Sequence, residues 1–132
     1  MKTVFCCCGI LINNKKEILI SSRTRKDYLK SYWEFPGGKV ENGETFYSAL
    51  NRELYEEMGI KINTGKIQPL NVITHKYSKF YLIMYAFIIN KWQGRLNSYD
   101  KENLKWVKYD LLKKIKMLPG NKNLIMNLVK II

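Results

Sequence analysis

A single α/β domain, a sandwich on a mixed β-sheet, is the fold class that the sequence predicts, and three observations predict it. The chain has 132 residues of which 46% are hydrophobic, ample for one packed core and short for two. Apolar runs of strand length come first, then an amphipathic helix, then further strands and two more helical stretches. That order suits a mixed sheet better than regular βαβ repeats. No repeat, low-complexity tract or linker breaks the pattern, so residues 1–132 are expected to form one unit.

Val4 to Ile12 is an apolar run of strand length, Asn13 to Lys16 is a polar turn, and Glu17 to Ser22 is a second strand; together they predict a hairpin. Arg23 to Ser31 is polar and charged. The stretch "YWEFPGGKVENGE" combines aromatics with Pro36, Gly37, Gly38 and Gly43, the chemistry of a loop around a short strand. Thr45 to Met58 is the plainest helix. Thr45 can cap its start, Tyr47, Leu50, Leu54 and Met58 form an apolar stripe, and Gly59 stands where a left-handed C-terminal cap belongs. Ile67 to Thr74 and Lys79 to Trp92 are expected to be strands. Trp106 and Val107 end another, followed by a helix that Asp110 would cap. Pro119 and Gly120 break the chain before a last amphipathic helix carrying Leu124, Ile125, Leu128 and Val129.

Charge excludes little. The formal net charge is +12, but the lysines are scattered rather than gathered in a block, and Lys, Asn and Ile supply 46 of the 132 residues, a bias that an AT-rich genome imposes. Genome bias is the first reading, attraction of polyanionic small substrates the second and nucleic-acid binding the third, so nucleic acid is not the expected partner. Cys6, Cys7 and Cys8 are consecutive and the only cysteines, which argues against a disulfide framework or a zinc site and for small apolar residues in a buried strand. No run approaches the roughly 18 apolar residues of a membrane span, and the start lacks the features of a signal peptide. A cytoplasmic protein with no membrane partner is expected, as monomer or homodimer.

The acidic residues are distributed differently. Six of the eleven, Glu34, Glu41, Glu44, Glu53, Glu56 and Glu57, fall between positions 34 and 57. On a helix Glu53, Glu56 and Glu57 are spaced i, i+3, i+4 and aim at one patch, where like charges cost a few tenths of a kcal/mol per pair. They also fall in the last turns, against the helix dipole. A solvated acidic face neutralised by Arg52 is one reading. A hard divalent cation is the other, because such ions take carboxylate and carbonyl oxygens together with phosphate oxygens. Ala49, one turn earlier, is small enough to leave the patch open, and Gly37 and Gly38 upstream can expose backbone carbonyls.

Read from Gly38, the chain gives Gly, five residues, Glu44, seven residues, Arg52-Glu53-Leu54, one residue, Glu56-Glu57, one residue, Gly59-Ile60. Every fixed position resembles the 23-residue signature (38–60) of the Nudix hydrolases. The flanking "WEFPGGKVENGE" resembles the MutT-like, 8-oxo-dGTP diphosphatase type of branch, and the likeness extends more loosely over the whole chain. The resemblance implies an α/β/α sandwich with a central mixed β-sheet, and Mg²⁺- or Mn²⁺-dependent hydrolysis of a nucleoside diphosphate linked to another group.

Carried over by matching position, Glu53, Glu56 and Glu57 hold the metal with the Gly37 carbonyl, and Arg52 orients a carboxylate or simply pairs with Glu56. Glu44, Gly38 and Gly59 are structural. Glu53 is the first choice of general base; Glu102, in "KENLKW", is the alternative and a further metal ligand. Lys39 is placed to stabilise phosphate charge. For the nucleotide, the resemblance points to Arg23, to Glu34, Phe35, Pro36 and Gly37, and to Asn121, whose amide suits a purine edge such as 8-oxoguanine and which also reads as a helix N-cap. Tyr28 stands where the MutT pattern has histidine, and "HKYSKFY" lacks the arginine expected near the base; His75 reads as a strand or loop residue. The implied activity is pyrophosphohydrolysis of a nucleoside triphosphate, 8-oxo-dGTP first, with CTP, substituted dCTP or another nucleoside diphosphate derivative as alternative. A non-catalytic RNA-binding module is the alternative of a different class.

Overall fold

The computed structural model describes residues 1–22, 31–63, 67–97 and 103–128. Six strands lie among them: β1 (Lys2–Leu11), β2 (Glu17–Ser22), β3 (Gly37–Lys39), β4 (Ile67–Lys76), β5 (Phe80–Ile89) and β6 (Asn103–Lys108). The helices are α1 (Phe46–Met58), α2 (Tyr109–Leu112) and α3 (Pro119–Leu128). Four strands form one sheet in the order β3-β1-β5-β4, with β1 parallel to β5 and antiparallel to β3, and β4 antiparallel to β5. The sheet is therefore mixed, as expected. β2 and β6 form a separate antiparallel pair.

The expected hairpin is only a turn. Asn13 N–H donates to the Glu17 carbonyl at 3.0 Å and Ile12 bridges Ile18, so the polar turn closes. Beyond it the strands part, because β3 and β5 occupy the two edges of β1 and β2 leaves to pair with β6.

Alternation along the strands divides the core. Cys8, Ile10, Met84, Ala86 and Ile88 face one side with Phe35, Leu112, Leu124 and Leu128; Cys7, Leu11, Phe87 and Ile89 face the other with Leu50, Leu54 and Met58 of α1. The side chains of Leu50, Leu54 and Met58 are fully buried. Each such burial contributes about 1.5–3 kcal/mol.

α1 starts and stops where predicted. Thr45 Oγ1 accepts from Ser48 N–H at 3.0 Å while Ser48 Oγ accepts from Thr45 N–H at 2.9 Å, and Gly59 adopts the left-handed conformation (φ 74°) with its N–H on the Tyr55 carbonyl. Ala49, expected to leave the acidic patch open, is instead wholly buried in the core on the α1 side.

The two later helices differ from expectation at their starts. Lys108 is the N-cap of α2 without a side-chain bond, so Asp110 lies inside the first turn, where its charge still favours the positive end of the helix. α3 begins at Pro119 rather than after it, as proline's fixed φ and missing N–H suit a first turn. Val129 lies outside the described residues.

Candidate active site

A cavity of about 580 Å³ opens between the strands and α3. Its floor is built by alternate residues of the parallel pair: Val4 is in register with Leu82 and Cys6 with Met84, and all four line it. Glu34 and Phe35 form one wall, Leu118 just before α3 and Asn121 within it another, and the end nearest α1 carries Gly38, Lys39, Glu41 and Glu53. Lys2 and Lys79 also line the cavity, where β1 begins beside Phe80 of β5, so it is bordered by cations there and at Lys39.

Tight packing puts the glycine loop at that end. A side chain at Gly37 would place Cβ 2.0 Å from the Cys7 carbonyl oxygen, and one at Gly38 would place it 2.4 Å from Cδ of Glu53. Gly37 thus lets β3 lie against β1, while Gly38 leaves the space that the Glu53 carboxylate fills.

Arg52 organises the acids. Its Nε donates to Glu44 Oε2 at 2.7 Å and its Nη2 to Glu44 Oε1 at 2.9 Å; Nη1 donates to Glu53 Oε1 at 3.0 Å and lies 3.6 Å from Glu56. Nη2 also reaches the Lys39 carbonyl at 3.0 Å, and Glu44 Oε1 accepts from Glu41 N–H at 2.9 Å, fastening the loop to the helix. These bonds hold the Glu44 carboxyl down at about 2 and raise the guanidinium further. Glu57 is buried and Glu56 exposed. Among the described residues no three His, Cys, Asp or Glu side chains stand grouped closely enough to hold an ion.

Asn121 is not an N-cap. It sits in the first turn of α3, buried, and its Oδ1 accepts Phe35 N–H at 2.8 Å across 86 residues of sequence. The segment it touches is the one that leads into the glycines. Pro36 is buried beside the cavity segment, with its carbonyl accepting from Gly9 N–H at 2.8 Å. His75 is a β4 residue, its ring edge-on to Tyr77.

Of the residues singled out in the sequence, the cavity brings together Glu34, Phe35, Gly37, Gly38, Lys39, Glu53 and Asn121. Arg23, Tyr28 and Glu102 lie outside the described residues. Sequence reasoning missed Lys2, Cys6, Tyr77 and Lys79 as lining residues. Lys79 and Tyr77 belong to the "HKYSKFY" segment, which lacks arginine, and it is a lysine that this segment brings to the cavity.

Residues 4–128 match the model of the NUDIX domain family. The chain belongs to that family. An 8-oxo-dGTP diphosphatase of Buchnera aphidicola subsp. Schizaphis graminum is 38% identical over 124 residues, 94% of this chain and 92% of the relative. A CTP pyrophosphohydrolase of Escherichia coli is 32% identical over 98 residues, 73% of this chain and 70% of the relative. Among solved structures, MutT from a study of the Aliivibrio salmonicida and Vibrio cholerae proteins superposes with a TM-score of 0.81 at 27% identity, covering 99% of this chain and 100% of that one. The protein is a Nudix hydrolase with the α/β fold of the MutT-like members.

Nudix hydrolases as a group use divalent metal, and the donors here fit a hard cation. Glu53, Glu56 and Glu57 offer only oxygen, and the Glu53 carboxylate packs directly on the backbone of the glycine loop in the space Gly38 leaves. No described helix is long and apolar enough to cross a membrane.

Proposed function

We propose that this Nudix hydrolase, acting through one domain over 1–132, is a Mg²⁺-dependent nucleoside triphosphate pyrophosphohydrolase that Mn²⁺ also supports. Its preferred substrate is a modified purine deoxynucleoside triphosphate, 8-oxo-dGTP first. The observation that carries this reading is Asn121: it lines the cavity, and the Phe35 N–H occupies its Oδ1, so its Nδ2 is the group we assign as donor to a purine oxygen acceptor. The identity to the Buchnera 8-oxo-dGTP diphosphatase supports it.

Glu53, Glu56, Glu57 and the Gly37 carbonyl would hold the ion, which neutralises phosphate charge and lowers the pKa of water when bound. Glu53 takes the proton as the water oxygen attacks phosphorus; Glu102 is the alternative base and a further ligand. The anhydride bond between the α- and β-phosphoryl groups breaks, giving the monophosphate and pyrophosphate. Lys39 offsets charge on the phosphate oxygens, and Arg52 holds Glu53 in place through the 3.0 Å bond. Phe35 and Glu34 border the base, and the family resemblance adds Arg23 and Tyr28 to the residues that bind the nucleotide. The cell would use such an enzyme to remove damaged nucleotides before DNA synthesis.

A second reading, hydrolysis of CTP or a substituted dCTP, draws on the E. coli CTP pyrophosphohydrolase and on Glu34, an acceptor for a cytosine amine at the cavity wall. A panel of triphosphates assayed for pyrophosphate with Mg²⁺ ranks the two. We expect the highest kcat/KM for 8-oxo-dGTP; a value no better than that for dCTP would overturn the first reading.

A further inference from the structure

Two hydrogen bonds hold the first turn of α3 to the cavity wall from different directions. Tyr77 Oη accepts Gly120 N–H at 2.9 Å, and the next residue, Asn121, accepts Phe35 N–H at 2.8 Å. The Gly120 N–H is one of the first-turn donors that have no carbonyl four residues back, so the phenol oxygen satisfies a group that would otherwise be buried without an acceptor.

Tyr77 is itself held firmly. Its ring stacks on Phe80 at 4.8 Å between centroids and meets His75 edge-on at 4.7 Å, and its N–H donates to the Phe80 carbonyl at 2.9 Å. Residue 120 must be small for the hydroxyl to arrive: a Cβ there would lie 2.7 Å from Leu82 Cδ2 and 3.0 Å from Tyr77 Oη. A rigid aromatic group on the turn between β4 and β5 thus sets the position of the backbone immediately before Asn121.

We propose that Tyr77 is a positioning residue for nucleobase selection. Its hydroxyl anchors Gly120, which fixes the root of the Asn121 side chain so that Oδ1 meets Phe35 and Nδ2 is presented to the base. The inference rests on reading this cavity as the nucleobase pocket. A donor held from both ends keeps its place when the cavity fills, so losing one anchor weakens binding of the base rather than the chemical step.

Tyr77→Phe in the full chain tests this, with amide hydrogen exchange and steady-state kinetics as readouts. Exchange at Gly120 should rise about tenfold, the equivalent of one lost hydrogen bond, and exchange at Phe35 should rise by about threefold or more although the hydroxyl does not bond to Phe35. KM for the best purine triphosphate should rise about 5–10-fold with kcat within about twofold. Gly120→Ala, which presses on the same contact, should give the same pattern and serves if Tyr77→Phe fails to fold. Unchanged exchange at Phe35, or a fall in kcat at constant KM, overturns the inference whichever nucleotide the enzyme prefers. A wild-type enzyme without purine preference, combined with a Phe35 amide that does respond, supports the anchoring and removes the purine reading instead.

Discussion

Arg52 grips Glu44 with two hydrogen bonds, of 2.7 and 2.9 Å, and the same guanidinium reaches Glu53 at 3.0 Å. One cation therefore joins the acid at the end of the glycine loop to the acid at the cavity. A lysine could not do this, because a single ammonium lacks the planar fork that meets both oxygens of a carboxylate while keeping a third donor for its neighbour. The i, i+4 contact with Glu56, at 3.6 Å, is longer than the hydrogen-bonded pairings with Glu44 and Glu53. On the acidic face of α1 this guanidinium offsets the charge of Glu53 and Glu56.

The Glu44 pair makes a prediction about acid. Its hydrogen bonds with Arg52 and Glu41 N–H hold the carboxyl at about 2, below its ordinary 4.5. A depressed carboxyl contributes stability that is present above pH 4.5 and lost as the pH falls through about 2. Glu44→Gln should therefore lower Tm at neutral pH, and its Tm should change less than that of the wild type over that acid range. Thermal melts across the range decide it; parallel curves for the two proteins would remove the ion pair from the account.

Turnover should separate Glu53 from acids elsewhere. Glu53→Gln removes a proton acceptor at the cavity and is expected to lower kcat by about 10²-fold or more. Asp110, exposed in the first turn of α2, is far from this chemistry in role, and Asp110→Asn should stay within about twofold. Both should melt as folded proteins. Wild-type turnover in Glu53→Gln would contradict the role given to that carboxylate.

Local signals were legible in the sequence and pairings distant along the chain were not. Thr45, the apolar stripe and Gly59 define α1 because caps and periodicity act within a few residues, and all are found as read. The partners of β1 could not be read, since alternation shows that a strand is buried but not which strand lies beside it; hence the hairpin expected with β2 and the pairing found with β3 and β5. The cavity floor depends on the parallel register of β1 and β5, which is why Cys6 looked like core alone. Asn121 was visible as a polar residue near a helix start. Its bond to Phe35, 86 residues away, was not. Helical spacing alone does not say how far the buried face extends around α1, and that face takes in Ala49.

The adjacent glycines should respond differently to alanine. At Gly38 the added Cβ would fall 2.4 Å from Cδ of Glu53 and 2.6 Å from each of its oxygens, so the side chain, being flexible, would move aside. We expect Gly38→Ala to fold and to lose about tenfold or more in kcat/KM, as displaced catalytic groups do. At Gly37 the Cβ would meet the Cys7 carbonyl at 2.0 Å, a clash with backbone between β1 and β3. Gly37→Ala should therefore destabilise the fold by roughly 1–3 kcal/mol or more. Denaturant unfolding and kinetics on both variants check the contrast, and full activity in Gly38→Ala would refute the close packing of Glu53 on the loop.

At the alkaline end the cysteines of β1 should set part of the limit. Burial pushes the Cys7 thiol up to about 12 from its ordinary 9.0, and Cys8, also buried, is raised by the same cause. A thiol whose pKa is raised by folding favours the folded state below pH 9.0, and that contribution is lost as the pH rises through about 12. The unfolded chain releases the proton first, so alkali draws the equilibrium toward it. Cys7→Ala removes this titration while keeping a small apolar group in the core. Its Tm should start lower, because a cavity is left, and decline less steeply than that of the wild type between pH 9.0 and about 12. Melts in a reducing buffer across that range measure the two slopes, and equal slopes would show that the Cys7 thiol does not limit alkaline stability.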